Sequence, residues 1–235
     1  MENILKNKTT VLFDLDGTLF DSIGIWNKVD RRFIAALGEK APETVDVQAL
    51  RDASLLKHAA AKEPYREHCV ELIKLYGCDM TADEGIALRL KFSDELARTS
   101  VCYKQGAPEF LWSLKKKGYR LGVVTTSARS HIEIYTKENV NIMNAAPLDE
   151  IFDFIYTKED TKEIKPSPEV YFNLFEREGV SADECVVFED SLVGVSAAHR
   201  AGVDVYCIED SYSTSDFPEM DKMVKARFKA FIDIK

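Results

Sequence analysis

Asp14 and Asp16 stand two residues apart directly after the apolar run Val11-Leu12-Phe13, and Gly17 follows them. A run of that kind reads as a strand buried on both faces. The period-two geometry of strands would aim side chains at i and i+2 to one side. Two carboxylates so placed repel unless a cation sits between them, and hard oxygen donors suit Mg²⁺. Three later segments also carry polar groups that could do chemistry. Thr125 lies in Gly122-Val-Val-Thr-Thr-Ser127, where Ser127 reads as the N-cap of a helix starting near Ala128. Lys165 precedes Pro166, with Ser167 as N-cap and Pro168 at the first helical position. The run Val186-Val187-Phe188 ends in the adjacent acids Glu189 and Asp190 before a helix rich in small residues.

Elements that could position these groups follow from the hydrophobic rhythm. From Ser22 to about Arg98 the spacing is helical: Trp26, Val29, Phe33 and Leu37 before Gly38, then Tyr65, Cys69, Leu72 and Tyr76 before Gly77. Past residue 100 the pattern becomes alternation of strand and helix, with strands at Tyr119 to Thr125, Phe152 to Thr157, Cys185 to Phe188 and Val203 to Ile208. Such units imply a parallel sheet. The expectation is an α/β, three-layer, Rossmann-like core formed by residues 1–20 and 99–235, interrupted by an all-helical cap domain at 21–98. Pro218 to Lys235 reads as a surface helix and a short final element.

The string FDLDGTLFDS, the strand-end Thr125, the Lys165-Pro166 segment and the run from Val186 to Gly202 resemble, in order, the four motifs of the haloacid dehalogenase superfamily. The insert resembles the helical cap that many members, such as phosphoglycolate phosphatases and β-phosphoglucomutases, carry at that point. The resemblance implies that Asp14 attacks phosphorus to form an aspartyl phosphate and that Asp16 serves as general acid and base. It implies that Mg²⁺ lies between Asp14, the backbone carbonyl of Asp16, and Asp190, with Glu189 reaching the metal through water or orienting its shell. Thr125 and Lys165 would hold the phosphoryl oxygens. The cap would close over the site and select a small phosphorylated metabolite. Within it, Arg51, Lys57 and His58 could contact a second polar group of the substrate, although ordinary surface charge is the commoner role; Trp26 and Trp112 read as packing residues.

Rival chemistries leave traces in the same segments. Mutases resembling β-phosphoglucomutase usually carry a His just after the first motif, and Phe20 to Trp26 has none, which favours hydrolysis. Dehalogenases generally lack the second Asp, and response-regulator receivers arrange their acids differently and lack the insert. Acidic residues exceed basic ones 40 to 31, a balance that repels nucleic acid and anionic membranes. Five dispersed cysteines, with no zinc spacing, fit a reducing compartment. No secretory signal or membrane-length apolar stretch is evident. The expectation is a cytoplasmic enzyme, monomeric or weakly dimeric.

Overall fold

The computed structural model describes residues 4–58 and 64–234; the first residues of the polar N-terminus, and Lys235 at the end of the final segment, lie outside the described residues. In chain order the elements are β1 (Thr10–Phe13), α1 (Ile25–Ala36), α2 (Val47–Lys57), α3 (Pro64–Leu75), α4 (Ala82–Thr99), α5 (Ala107–Lys116), β2 (Arg120–Val124), α6 (Arg129–Lys137), α7 (Val140–Ala145), α8 (Leu148–Ile151), β3 (Phe154–Tyr156), α9 (Glu169–Glu178), β4 (Cys185–Glu189), α10 (Leu192–Arg200), β5 (Asp204–Ile208), α11 (Phe217–Met220) and β6 (Ala226–Phe228). The strands form one parallel sheet of order β3-β2-β1-β4-β5-β6. This is the Rossmann-like α/β arrangement that the rhythm of the sequence implies. Among the described residues no helix is long and apolar enough to cross a membrane.

β1 is fully buried because both of its faces are covered. Leu12 joins Val187 of β4 in a core with Tyr171 and Leu174 of α9 and Val195 of α10. Phe13 faces the other way, stacked on its register partner Phe188 at 5.3 Å between ring centroids and met edge-on by Phe110 of α5 and by Phe152. With no solvent-facing positions the strand needs no polar alternation, hence its continuous apolar sequence.

The chain divides into two compact units, Met1–Ile23 with Val101–Lys235 and Gly24–Ser100. The second holds α1 to α4 and, among its described residues, no strand. Its core is built from Phe33, Ile34 and Leu37 on and just after α1, with Cys69, Leu72 and Ile73 from α3. Thr81 opens α4 in a reciprocal capping box with Glu84.

Three expectations change. The C-terminal segment supplies a single turn, α11, and then a sixth strand, β6, on the sheet edge beside β5; a three-residue edge strand carries too little pattern to read. At α9 the N-cap is Pro168, not Ser167, whose hydroxyl accepts the Glu169 amide at 3.3 Å. Arg51 is not surface charge: it is buried and donates to Asp30 Oδ2 at 2.6 Å, while Arg89 donates to Oδ1 at 2.9 Å. A carboxylate on the inner face of α1 must be paired, and guanidinium forks do it. Arg89 in turn lies 5.4 Å from the Trp26 ring and 5.5 Å from that of Tyr65. Lys57 and His58 both bond Glu71, whose pKa is pulled down to about 2 by hydrogen bonds from Lys57, Ser54 and His58. Trp112 is part-exposed, its indole donating to the Ala145 carbonyl.

Asp30→Asn would leave two buried guanidinium groups facing a neutral amide. It should destabilise the helical unit by about 3–5 kcal/mol, read from urea unfolding followed through Trp26 fluorescence in a Trp112→Phe background. A loss below about 1 kcal/mol would show that the triad contributes no net stability.

Candidate active site

The sheet order puts β1 between β2 and β4, at the point where the chain, having built outward through β2 and β3, returns to the other side of β1. Open α/β sheets bind ligands outside the carboxyl ends of strands at such a switch point. The register aligns those ends: Phe13 pairs with Val123 and with Phe188, so Asp14 emerges beside Val124 on one side and Glu189 on the other. The Asp14 amide donates to the Phe188 carbonyl at 3.0 Å.

Lys165 closes the site from the loop before α9. Its buried ammonium donates to Asp14 Oδ1 at 2.8 Å, to the Val124 carbonyl at 2.7 Å and to Glu189 Oε1 at 2.5 Å. All three of its protons are therefore used. Burial alone would drive the Lys165 pKa down, but Asp14 and Glu189 more than offset it and hold the amine charged. Glu189 is fully buried, and its other oxygen accepts the Asp190 amide at 3.1 Å and the Ser191 hydroxyl at 3.3 Å. Asp190 accepts the Thr18 hydroxyl at 2.7 Å.

Carboxylate oxygens of Asp14, Glu189 and Asp190 all lie within 4.8 Å of one another. Burial, with Glu189 and Asp16 adding repulsion against the pull of Lys165, pushes Asp14 up to about 7. Asp190 is held well above the ordinary carboxylate range by burial, then by Glu189 and Asp14. One ammonium cannot balance three ionised carboxylates, so the cluster is short of positive charge. Its all-oxygen donor set suits a hard divalent cation.

Asp16 does not share this cluster. β1 itself ends at Phe13, so both acids lie just past the strand. The Asp16 carboxylate accepts Ser127 Oγ at 2.5 Å and Tyr135 Oη at 3.0 Å. Ser127 is thus an Asp16 ligand and not a helix cap; the N-cap of α6 is Ala128. Thr125 is buried at the end of β2, its hydroxyl accepting the Ser127 amide at 3.1 Å. The sequence reading left Thr18, Ser127 and Tyr135 without site roles. Thr18 and Ser127 lie inside segments already singled out, whereas nothing in the spacing of Tyr135 links it to Asp16.

Two glycines leave room for the acids. A Cβ on Gly17 would come within 2.2 Å of Asp190 Oδ2, and one on Gly194 within 2.0 Å of the Glu189 carboxyl carbon. Gly194→Ala should raise helix propensity in α10 by about 1 kcal/mol yet lower stability, because the carboxylate it meets is pinned by Lys165 and by the Asp190 amide. A net loss of about 1–3 kcal/mol in thermal or urea unfolding is expected; an unchanged or higher melting temperature would mean that Glu189 moves freely.

A sequence profile of the family described as haloacid dehalogenase-like hydrolase matches residues 11–208. Protein CbbY of Rhodobacter capsulatus is 25% identical over 208 residues, covering 88% of this chain and 87% of that protein. Validoxylamine A 7'-phosphate phosphatase of Streptomyces hygroscopicus subsp. limoneus is 28% identical over 214 residues, covering 91% and 92%. A crystal structure of a CbbY variant from Rhodobacter sphaeroides, in complex with xylulose-(1,5)bisphosphate, shares the fold with a TM-score of 0.70 at 22% identity, each chain covered to 96%. The chain belongs to the haloacid dehalogenase-like hydrolase family.

Proposed function

We propose that this member of the family is a Mg²⁺-dependent phosphatase that hydrolyses a small phosphomonoester through an aspartyl phosphate on Asp14. The observation that carries the reading is the Lys165 ammonium bridging Asp14 and Glu189 at the meeting point of three strand ends. A validoxylamine phosphate phosphatase among the relatives supports phosphate as the group transferred. The five free thiols support a reducing, cytoplasmic setting.

Asp14 attacks the phosphorus in line with the ester bond, and the phosphorus–oxygen bond to the leaving group breaks as the new bond forms. Asp16, as its carboxylic acid, gives its proton to the departing oxygen. The resulting Asp16 carboxylate then takes a proton from water, whose oxygen attacks the same phosphorus, freeing phosphate and restoring Asp14. Thr125 holds a phosphoryl oxygen, and Lys165, whose three protons go to Asp14, Val124 and Glu189, acts through its charge, offsetting the repulsion between anionic nucleophile and anionic substrate. Glu189 orients Lys165 and the Asp190 backbone. Asp14, Asp190 and the Asp16 carbonyl would hold Mg²⁺, which supplies the remaining positive charge that the acids and the phosphoryl group need. The lack of a His from Phe20 to Trp26 supports water over a sugar as the acceptor, the alternative being a phosphomutase.

Steady-state hydrolysis of p-nitrophenyl phosphate and a panel of sugar phosphates and phosphoglycolate should depend on added Mg²⁺ and stop in EDTA. Asp14→Asn should lower turnover by on the order of 10⁴ or more with its fold intact by circular dichroism. Undiminished turnover in either the variant or the chelator would overturn the reading.

A further inference from the structure

Asp16 and the phenol of Tyr135 are fixed against each other by the same turn. Phe20 donates its amide to the Leu15 carbonyl at 2.8 Å and accepts the Gly17 amide at 3.0 Å, closing the loop that carries Asp16. The Phe20 ring packs edge-on against both Tyr103, at 4.9 Å, and Tyr135, at 5.0 Å. Tyr135 is only 2% exposed, is flanked on its own helix by His131, and sends its hydroxyl to Asp16 Oδ1. Burial first, and the Asp16 charge second, raise the Tyr135 pKa well above its ordinary value, so the group remains a phenol and a donor.

From this geometry we infer that Tyr135 is a positioning residue for Asp16, its hydroxyl fixing the carboxyl plane so that the Asp16 proton meets the leaving oxygen of the ester. Ser127 alone would anchor one oxygen and leave the group free to turn. With one donor on each oxygen both torsions are set, and either oxygen keeps a lone pair for the single acid proton. During ester cleavage that proton passes from Asp16 to the leaving oxygen as the phosphorus–oxygen bond breaks; Tyr135 keeps its own. The inference rests on Asp16 being the general acid.

A misplaced acid harms esters whose leaving group needs protonation and spares those whose leaving group departs as an anion. The measurement is kcat/KM, which reports steps through release of the alcohol, for p-nitrophenyl, phenyl and benzyl phosphate with wild type, Tyr135→Phe and Asp16→Asn. Tyr135→Phe keeps the ring and deletes one oxygen. Its loss in kcat/KM should grow along that series and be at least about tenfold greater for benzyl than for p-nitrophenyl phosphate. Asp16→Asn should lose more, with the same trend. A uniform loss, or none, in Tyr135→Phe beside a graded loss in Asp16→Asn would overturn the role of Tyr135 alone. An ungraded loss in Asp16→Asn would overturn the reading of Asp16 and the inference with it. If Tyr135→Phe unfolds, Ser127→Ala removes the other donor and must show the same graded loss; a flat profile there overturns the inference.

Discussion

Three carboxylates and one ammonium share a buried corner where β1, β2 and β4 end, and their charges do not cancel. Burial of an unbalanced acid is costly, and the protein answers in the only ways available to it: it raises the proton affinity of Asp14 and Asp190, or it takes up a cation. The first puts a proton on the carboxylate proposed as nucleophile. The second leaves it anionic and ready. On the proposed function, metal dependence follows from how the strands converge and is not an added feature.

The same cluster constrains residues that never touch a substrate. Lys165 spends each of its protons on a specific acceptor, which fixes the strand-end carbonyl of Val124 relative to Asp14 and Glu189. Gly17 and Gly194 must lack a side chain because Asp190 and Glu189 occupy the space where one would be. Beneath them, the stacked pair Phe13 and Phe188 holds β1 to β4 in the register that aligns Asp14 with Glu189. Packing on the far side of the sheet thus reaches the chemistry through strand register, and a change at Phe188 would be felt at Asp14.

Much of the fold was legible because buried parallel strands are continuous apolar runs, and Asp14, Thr125 and the Glu189-Asp190 pair stand at the ends of such runs. Asp14, Glu189 and Asp190 could be marked from that pattern and Lys165 from the resemblance of its Lys-Pro segment to the family's motif, and the structure brings their side chains together. What escaped was non-local or too short. The Asp30–Arg51–Arg89 triad joins three helices, and no linear spacing announces which charged residue turns inward. Tyr135 reaches Asp16 across 119 positions of sequence. Strand β6, three residues with an arginine at its centre, lacked both length and alternation. Asp16 takes partners of its own, Ser127 and Tyr135, from beyond the first motif.

The central claim is covalent: the phosphoryl group rests on Asp14 between its two transfers. Enzyme turning over p-nitrophenyl phosphate, acid-quenched, reduced with borohydride and digested, tests it by mass spectrometry of the peptide that spans residue 14. An acyl phosphate is reduced to the alcohol, so Asp14 should appear as homoserine only in samples that received both substrate and borohydride. Active enzyme in which residue 14 stays unmodified while another side chain is reduced would contradict the account.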